Sequence, residues 1–272
     1  MERFAAILND PTLRVLAQTG GLLLARLLPL VVLTPMVGGK LLPRRFRFGV
    51  ALALVIALLP SFAAGAPPEA IPRGLFVVLL MKEAAIGLCL AFVITLMFDT
   101  LDAFGGMVDL ARGATLGNVF NPLTQTQSPL SSVFFVQLGV VLFLTVGGLR
   151  AVLDGLGHSF TAAPLYAVAP PELFGPASGG AAAAIGLVGE LMIVALRLAA
   201  PVLVVLLLVD VVLGLINKVA PQIQVFFIGL SVKATLGVAV LLVGMAVTFA
   251  VVFEHFARFT DAMRGLTQAG GG

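Results

Sequence analysis

The stretch ATLGVAVLLVGMAVTFAVVF, residues 234–253, carries no charge. About twenty consecutive apolar residues is the length a helix needs to cross the hydrocarbon core of a bilayer. A chain inside lipid must satisfy its backbone N–H and C=O groups internally, so such a run is read as an α-helix. Further apolar runs lie at 15–37, 46–60, 75–98 and 133–149, the second and last of them short enough to be tilted or partly inserted. The run 182–216 is roughly 50 Å of helix at 1.5 Å per residue, too long for one crossing and short for two. Pro201 lies near its middle, and the run reads as a kinked helix or a tight hairpin. With 60% hydrophobic and 11% charged residues, the chain lies outside the range of soluble domains. The predicted fold class is an all-α, multi-pass membrane protein with kinked helices and helical hairpins. A single membrane-embedded domain is expected over residues 1–272, with a flexible tail from about 265 to 272.

Orientation is contradictory. GGKLLPRRFR, residues 38–47, has four basic residues and no acid, which places it on the cytoplasmic side and the N-terminus outside. Six crossings then return the C-terminus outside, although Arg258 and Arg264 against Asp261 pull it slightly inward. Splitting 182–216 into two crossings removes the conflict, and so do helices that do not fully traverse. MERFAAILNDPTLR places Asp10 and Pro11 where a signal peptide needs an unbroken apolar core, so no cleavage is expected.

Six charged residues interrupt apolar runs: Arg26, Lys82, Glu83, Glu190, Arg197 and Asp210. Each must face protein or water. Glu190 and Arg197 share a helical face and Lys82 adjoins Glu83, so opposite charges recur close together. Packing between helices or subunits is favoured over an ion relay, because an ion-coupled transporter calls for repeated halves with matching broken helices and no internal repeat is found. The segment 98–132 is less apolar. Asp102 and Asp109 share a face, Arg112 follows Asp109 by three, and Gly105, Gly106, Gly113 and Gly117 permit close approach or a bend. Asn121, Pro122, Gln125, Gln127, Ser128 and Pro129 then read as a polar loop, either an ordinary connection or a pore-facing, gating one. A second polar break, LINKVAPQIQVFFIGLSVK at 215–233, sets Asn217, Lys218, Pro221, Gln222, Gln224 and Lys233 in the most apolar part of the chain. Lys218 and Lys233 flank its turn and either snorkel to an interface or pair with a neighbour's carboxylate.

Several function classes are excluded. There is no phosphate-binding loop, dinucleotide fingerprint, H-E-x-x-H or G-x-S-x-G motif, and His158 and His255 lack flanking ligands at metal spacing. Asp102 and Asp109 lack an accompanying nucleophile, so no catalysis is assigned. Cys89 stands alone in an apolar run and reads as a small buried hydrophobe. A net charge of +3, with no block of like charge, argues against nucleic acid.

Residues 26–60, RLLPLVVLTPMVGGKLLPRRFRFGVALALVIALLP, with prolines at 29, 35, 43 and 60 and arginines at 26 and 47, resemble the start of the FliR/SctT export-gate family of flagella and type III secretion injectisomes. KEAAIGLCLAF at 82–92 does so too, and the 215–233 stretch resembles the family's late signature of Asn-Lys or Asn-Arg before Ala-Pro-Gln, a Phe-rich turn and a lysine. Ser231 departs from the proline expected before the Val-Lys pair. VDLARGATLGNVFNPLTQTQSPLSS and Lys233 are more similar to the injectisome (YscT/SpaR-like) branch, with a flagellar homologue as the alternative. From another class, a secondary transporter using Glu190, Arg197 and Asp210 as a relay stands as a further alternative.

The resemblance implies a subunit of a helical, gated channel in the bacterial inner membrane through which unfolded proteins are exported. The partners implied are SctR/FliP-like, SctS/FliQ-like and SctU/FlhB-like membrane subunits, with no cofactor. In that setting Pro221 ends a helix, Asn217, Gln222 and Gln224 satisfy freed backbone groups, and Phe226 and Phe227 pack on a neighbouring subunit. Gly113 to Thr126, with Val119 and Phe120 at the apolar tip, is expected to form a plug rooted by Asp109 and Arg112.

Overall fold

Helix formation follows from long stretches of Leu, Ala and Val broken by few prolines. The computed structural model describes residues 11–37, 43–65, 67, 69–114, 130–168, 180–222 and 224–269. Among these, seven α-helices and no strand occur. Helix α1, Pro11–Leu33, begins on a proline, whose missing N–H belongs among the unpaired first-turn donors in any case. It is followed by a short 3-10 turn, Pro35–Val37. Helix α2, Arg44–Ala63, starts after Pro43 in extended conformation (φ −55, ψ 144). Its first turn is basic, the unfavourable sign for the positive end of a helix dipole, and Arg47 Nη1 instead donates to the Val32 carbonyl (3.2 Å) in the last turn of α1.

Helix α3, Arg73–Ala111, runs 39 residues without a proline, roughly 58 Å at 1.5 Å per residue. The apolar run ends at 98, and the helix continues through Asp99, Asp102 and Asp109, the last two on the helical face their spacing predicts, to a glycine stop. Gly113 has φ 73, the left-handed conformation that glycine adopts without strain. Its N–H donates to the Leu110 carbonyl (3.1 Å) and that of Ala114 to the Asp109 carbonyl (3.0 Å), the paired bonds of a Schellman cap. Helices α4, Leu130–Thr145, and α5, Gly148–Ala162, are bent by 73° at Gly147 (φ 83), so the apolar run 133–149 is not a straight span.

Helix α6, Gly180–Val219, is continuous over 40 residues with Pro201 inside it. This rules out the hairpin reading of 182–216. One proline removes one hydrogen bond, and no turn-forming residues surround it to reverse the chain. Helix α7, Val225–Ala269, extends into the tail as far as Ala269. Among the described residues five helices are long and apolar enough to cross a membrane, or six spans result if the bent α4–α5 pair is one broken span. Five crossings would put the chain ends on opposite sides and remove the charge conflict, whereas six would retain it.

The chain divides into two compact units, one formed by residues 1–95, 149–181 and 263–272, the other by 96–148 and 182–262. In the first, Leu22, Leu23 and Leu27 of α1 pack with Val55 of α2, Leu79 of α3 and Leu156 and Phe160 of α5. In the second, the rings of Phe98, Phe143 and Phe256 form a triangle with centroids 5.4–5.8 Å apart. Such tilted and edge-on contacts matter more in lipid than in water, because helices there are held by packing and polar contacts, and lipid tails are as apolar as Leu.

Candidate functional site: helix ends clamped by α3

In the first unit the end of α5 supplies carbonyls that need donors, and α5 has no basic residue in its last turn. Arg26 of α1 and Lys82 of α3 provide them. The Arg26 guanidinium donates from Nη1 to the Ser159 carbonyl (2.8 Å) and from Nη2 to that of Ala163 (2.8 Å), while its Nε pairs with Glu83. It also lies 4.2 Å over the Phe160 ring. Lys82 Nζ donates to the carbonyls of Pro164 (2.7 Å), Leu165 (3.3 Å) and Ala167 (2.9 Å). Its 2.7 Å approach to Glu83 Oε1 is a contact of charges without a directed hydrogen bond, since the ammonium donors are engaged by carbonyls and that oxygen has no hydrogen-bond partner. All three side chains are buried. Two cations at a helix C-terminus suit its negative dipole end, and Glu83 neutralises one of them. Gly87 lets α1 approach, because a Cβ there would collide with the Arg26 carbonyl.

The second unit shows the converse arrangement at the start of α4, which has no acid in its own first turn. Asp109, fully buried on α3, accepts the Ser131 N–H at 2.8 Å and pairs with Arg112. Arg112 Nη2 also donates to Ser131 Oγ (2.8 Å). A carboxylate at a helix N-terminus is favoured by the dipole and uses a donor that has no partner within the helix. Ser132 donates to Asp102, and Gly105 allows the crossing because a Cβ there would strike the Ser132 backbone. The Arg112 stem lies where a side chain at Gly237 of α7 would otherwise sit, and its buried Nε has no hydrogen-bond partner. Asp109, Arg112 and Gly113 therefore sit together at the end of α3. Gly117, Val119 and Phe120, and the rest of the predicted plug from 115 onward, lie outside the described residues.

The 215–233 region is arranged as a helical hairpin. Val219 is the last residue of α6, and Pro221 and Gln222 occupy the turn before α7. Asn217, Lys218, Pro221, Gln222, Phe226 and Phe227 are all exposed. Lys233 pairs with Asp210 across the hairpin. Glu190 and Arg197 are exposed and do not pair, since a seven-residue spacing exceeds the three- and four-residue spacings at which side chains of one helix meet. Cys89 is exposed, contrary to the expected burial, because it lies beside Leu88 and Phe92 on an uncovered part of α3. Ser131, Ser159 and Gly237 escaped sequence reasoning; a serine just inside a helix start, as at 131, is the one available signal.

Residues 17–259 match the model of bacterial export proteins, family 1. The chain is 30% identical to the flagellar biosynthetic protein FliR of Bacillus subtilis over 245 residues, covering 90% of this chain and 93% of that one. It is 28% identical to the surface presentation of antigens protein SpaR of Shigella sonnei, covering 80% and 81% of the two chains. It is 26% identical to the Yop proteins translocation protein T of Yersinia pestis, covering 82% and 84%. The residue signatures, the all-helical membrane fold and a family match over nearly the whole length agree: the chain belongs to family 1 of the bacterial export proteins, the subunits of flagellar and type III secretion export apparatus.

Proposed function

We propose that this chain works in an injectisome of the type III kind, assembled in the bacterial inner membrane with SctR/FliP-like, SctS/FliQ-like and SctU/FlhB-like subunits into a gated channel for unfolded secreted proteins. One observation carries the assembly reading. Glu190, Arg197, Asn217, Lys218 and Gln222 are exposed on or beside two helices whose apolar windows are only 17% buried. Charged and amide groups in that setting are costly against lipid and are satisfied when neighbouring subunits cover them. The injectisome branch is favoured by the 108–132 sequence, and the names of the relatives span both branches. The relay reading gains no support, since Asp210 is engaged by Lys233 while Glu190 and Arg197 do not pair.

The plug reading of Gly113 to Thr126 is proposed on the same basis. Asp109 ties the first turn of α4 to the end of α3, so the helix ends on either side of the segment in the sequence are held together. The test of the function is expression of the chain with and without its partner subunits. Alone it should be degraded or aggregated, and with them it should copurify as a complex identified by mass. A monodisperse, folded monomer in detergent would count against the proposal.

A further inference from the structure

Helix α6 leaves one charged stripe uncovered. Glu190, Val194, Arg197 and Pro201 succeed one another at spacings of four and three, which places them on one helix face. Val194, Arg197 and Pro201 line a groove of about 520 Å³ whose opposite wall is α7, where Gly244 keeps the wall low. Arg197 and Glu190 have no ion-pair partner among the described residues, and Glu254, which also lines the groove, has its own contact within the chain.

Three occupants are conceivable for such a groove in a membrane. Lipid tails would leave both charges bare within an apolar span. A second copy of this chain, inserted in the same direction and packed symmetrically through α6, would bring Glu190 against Glu190 and Arg197 against Arg197, and facing like charges cost several kcal/mol. A helix of a different subunit meets neither objection. We infer that the α6–α7 groove seats a transmembrane helix of another subunit bearing a basic residue opposite Glu190 and an acidic residue opposite Arg197, about one heptad apart (roughly 10 Å). The two opposite charges then fix which helix docks and in which direction it runs, because a reversed helix would face like with like. This rests on the proposed multisubunit channel and specifies one of its contacts.

The test uses the whole complex, purified from membranes with a photo-crosslinking phenylalanine analogue in place of Val194. The expected adduct joins this chain to a helix of another subunit that carries a basic and an acidic residue about seven positions apart. Arg197→Glu is expected to lower the recovered complex roughly tenfold, and changing the facing acid of that helix to arginine is expected to restore it. A misfolded variant would not be rescued in this way. An adduct with lipid alone, with a second copy, or with a helix lacking the charge pair overturns the inference, as does failure of the rescue. If the other subunits copurify with the unsubstituted chain while Val194 reaches only lipid, the docking inference falls and the channel reading stands. If no other subunit copurifies, both fall.

Discussion

Glu83 holds the charge balance of a buried polar cluster. Its side chain and that of Arg26 are both 0% exposed, and Lys82 is 6% exposed. Removing one partner of a buried ion pair leaves the other uncompensated, at a cost of about 3–5 kcal/mol. Glu83→Gln is therefore expected to lower the melting temperature of the purified complex by roughly 10 °C, read by thermal unfolding in detergent. An unchanged melting temperature would show that hydrogen bonds to carbonyls alone hold the two cations. Gly113 gives a smaller and separate effect. Alanine at its φ of 73 is strained by about 1–2 kcal/mol, whereas Gly106 lies inside α3 with nothing within 4 Å of an added Cβ. Gly113→Ala should destabilise and Gly106→Ala should be neutral or stabilise slightly, in the same assay. Sequence reasoning singled out Arg26, Lys82 and Glu83 because a charge in an apolar run needs a reason, and Asp109 and Arg112 by their helical spacing. It could not name Ser159 or Ser131 as their partners, since nothing local relates residues 133 or 22 positions apart.

Helix α3 connects these two sites along the chain, supplying Lys82 and Glu83 to the end of α5 and Asp109 to the start of α4. Its length was illegible from hydropathy because Asp99, Asp102 and Asp109 end the apolar run, while helicity depends on where those carboxylates find donors. The bend at Gly147 was also hidden, since a glycine pair in an apolar run is compatible with a continuous helix. The α6–α7 hairpin was more readable. Asp210 and Lys233 stand about a dozen residues on either side of the Pro221–Gln222 turn, so antiparallel pairing follows from the turn alone. That pair is expected to help align the hairpin. Asp210→Asn and Lys233→Gln should each reduce complex yield, and the double variant should lose no more than the worse single one, the coupling expected of residues in contact. Additive losses would mean that each residue acts on a different neighbour.

At the scale of the whole molecule, buried clamps fix the ends of α4 and α5 while much of α6 and α7 is left exposed. A chain built this way is internally braced at its helix ends and incomplete on its surface, as suits one subunit of a larger channel. The closed channel must hold back water and ions yet yield to a polypeptide, which a short apolar segment does better than a rigid charged ring. Residues 116–122, LGNVFNP, combine a glycine with Val119 and Phe120 and fall in the sequence between Asp109 and Ser131, the residues of the clamp. Deleting them leaves the clamp residues in place, so the complex should still assemble and copurify with its partners. It should also leak, with the membrane potential partly lost on expression, measured by a potential-sensitive dye in cells. Asp109→Asn separates the two roles: it weakens the clamp without shortening the segment, and a leak in the deletion that is absent or smaller in Asp109→Asn would assign the seal to the segment and not to its root. A deleted complex that assembles and stays as tight as the parent would instead make residues 116–122 an ordinary connection between α3 and α4, with the seal supplied by another part of the channel.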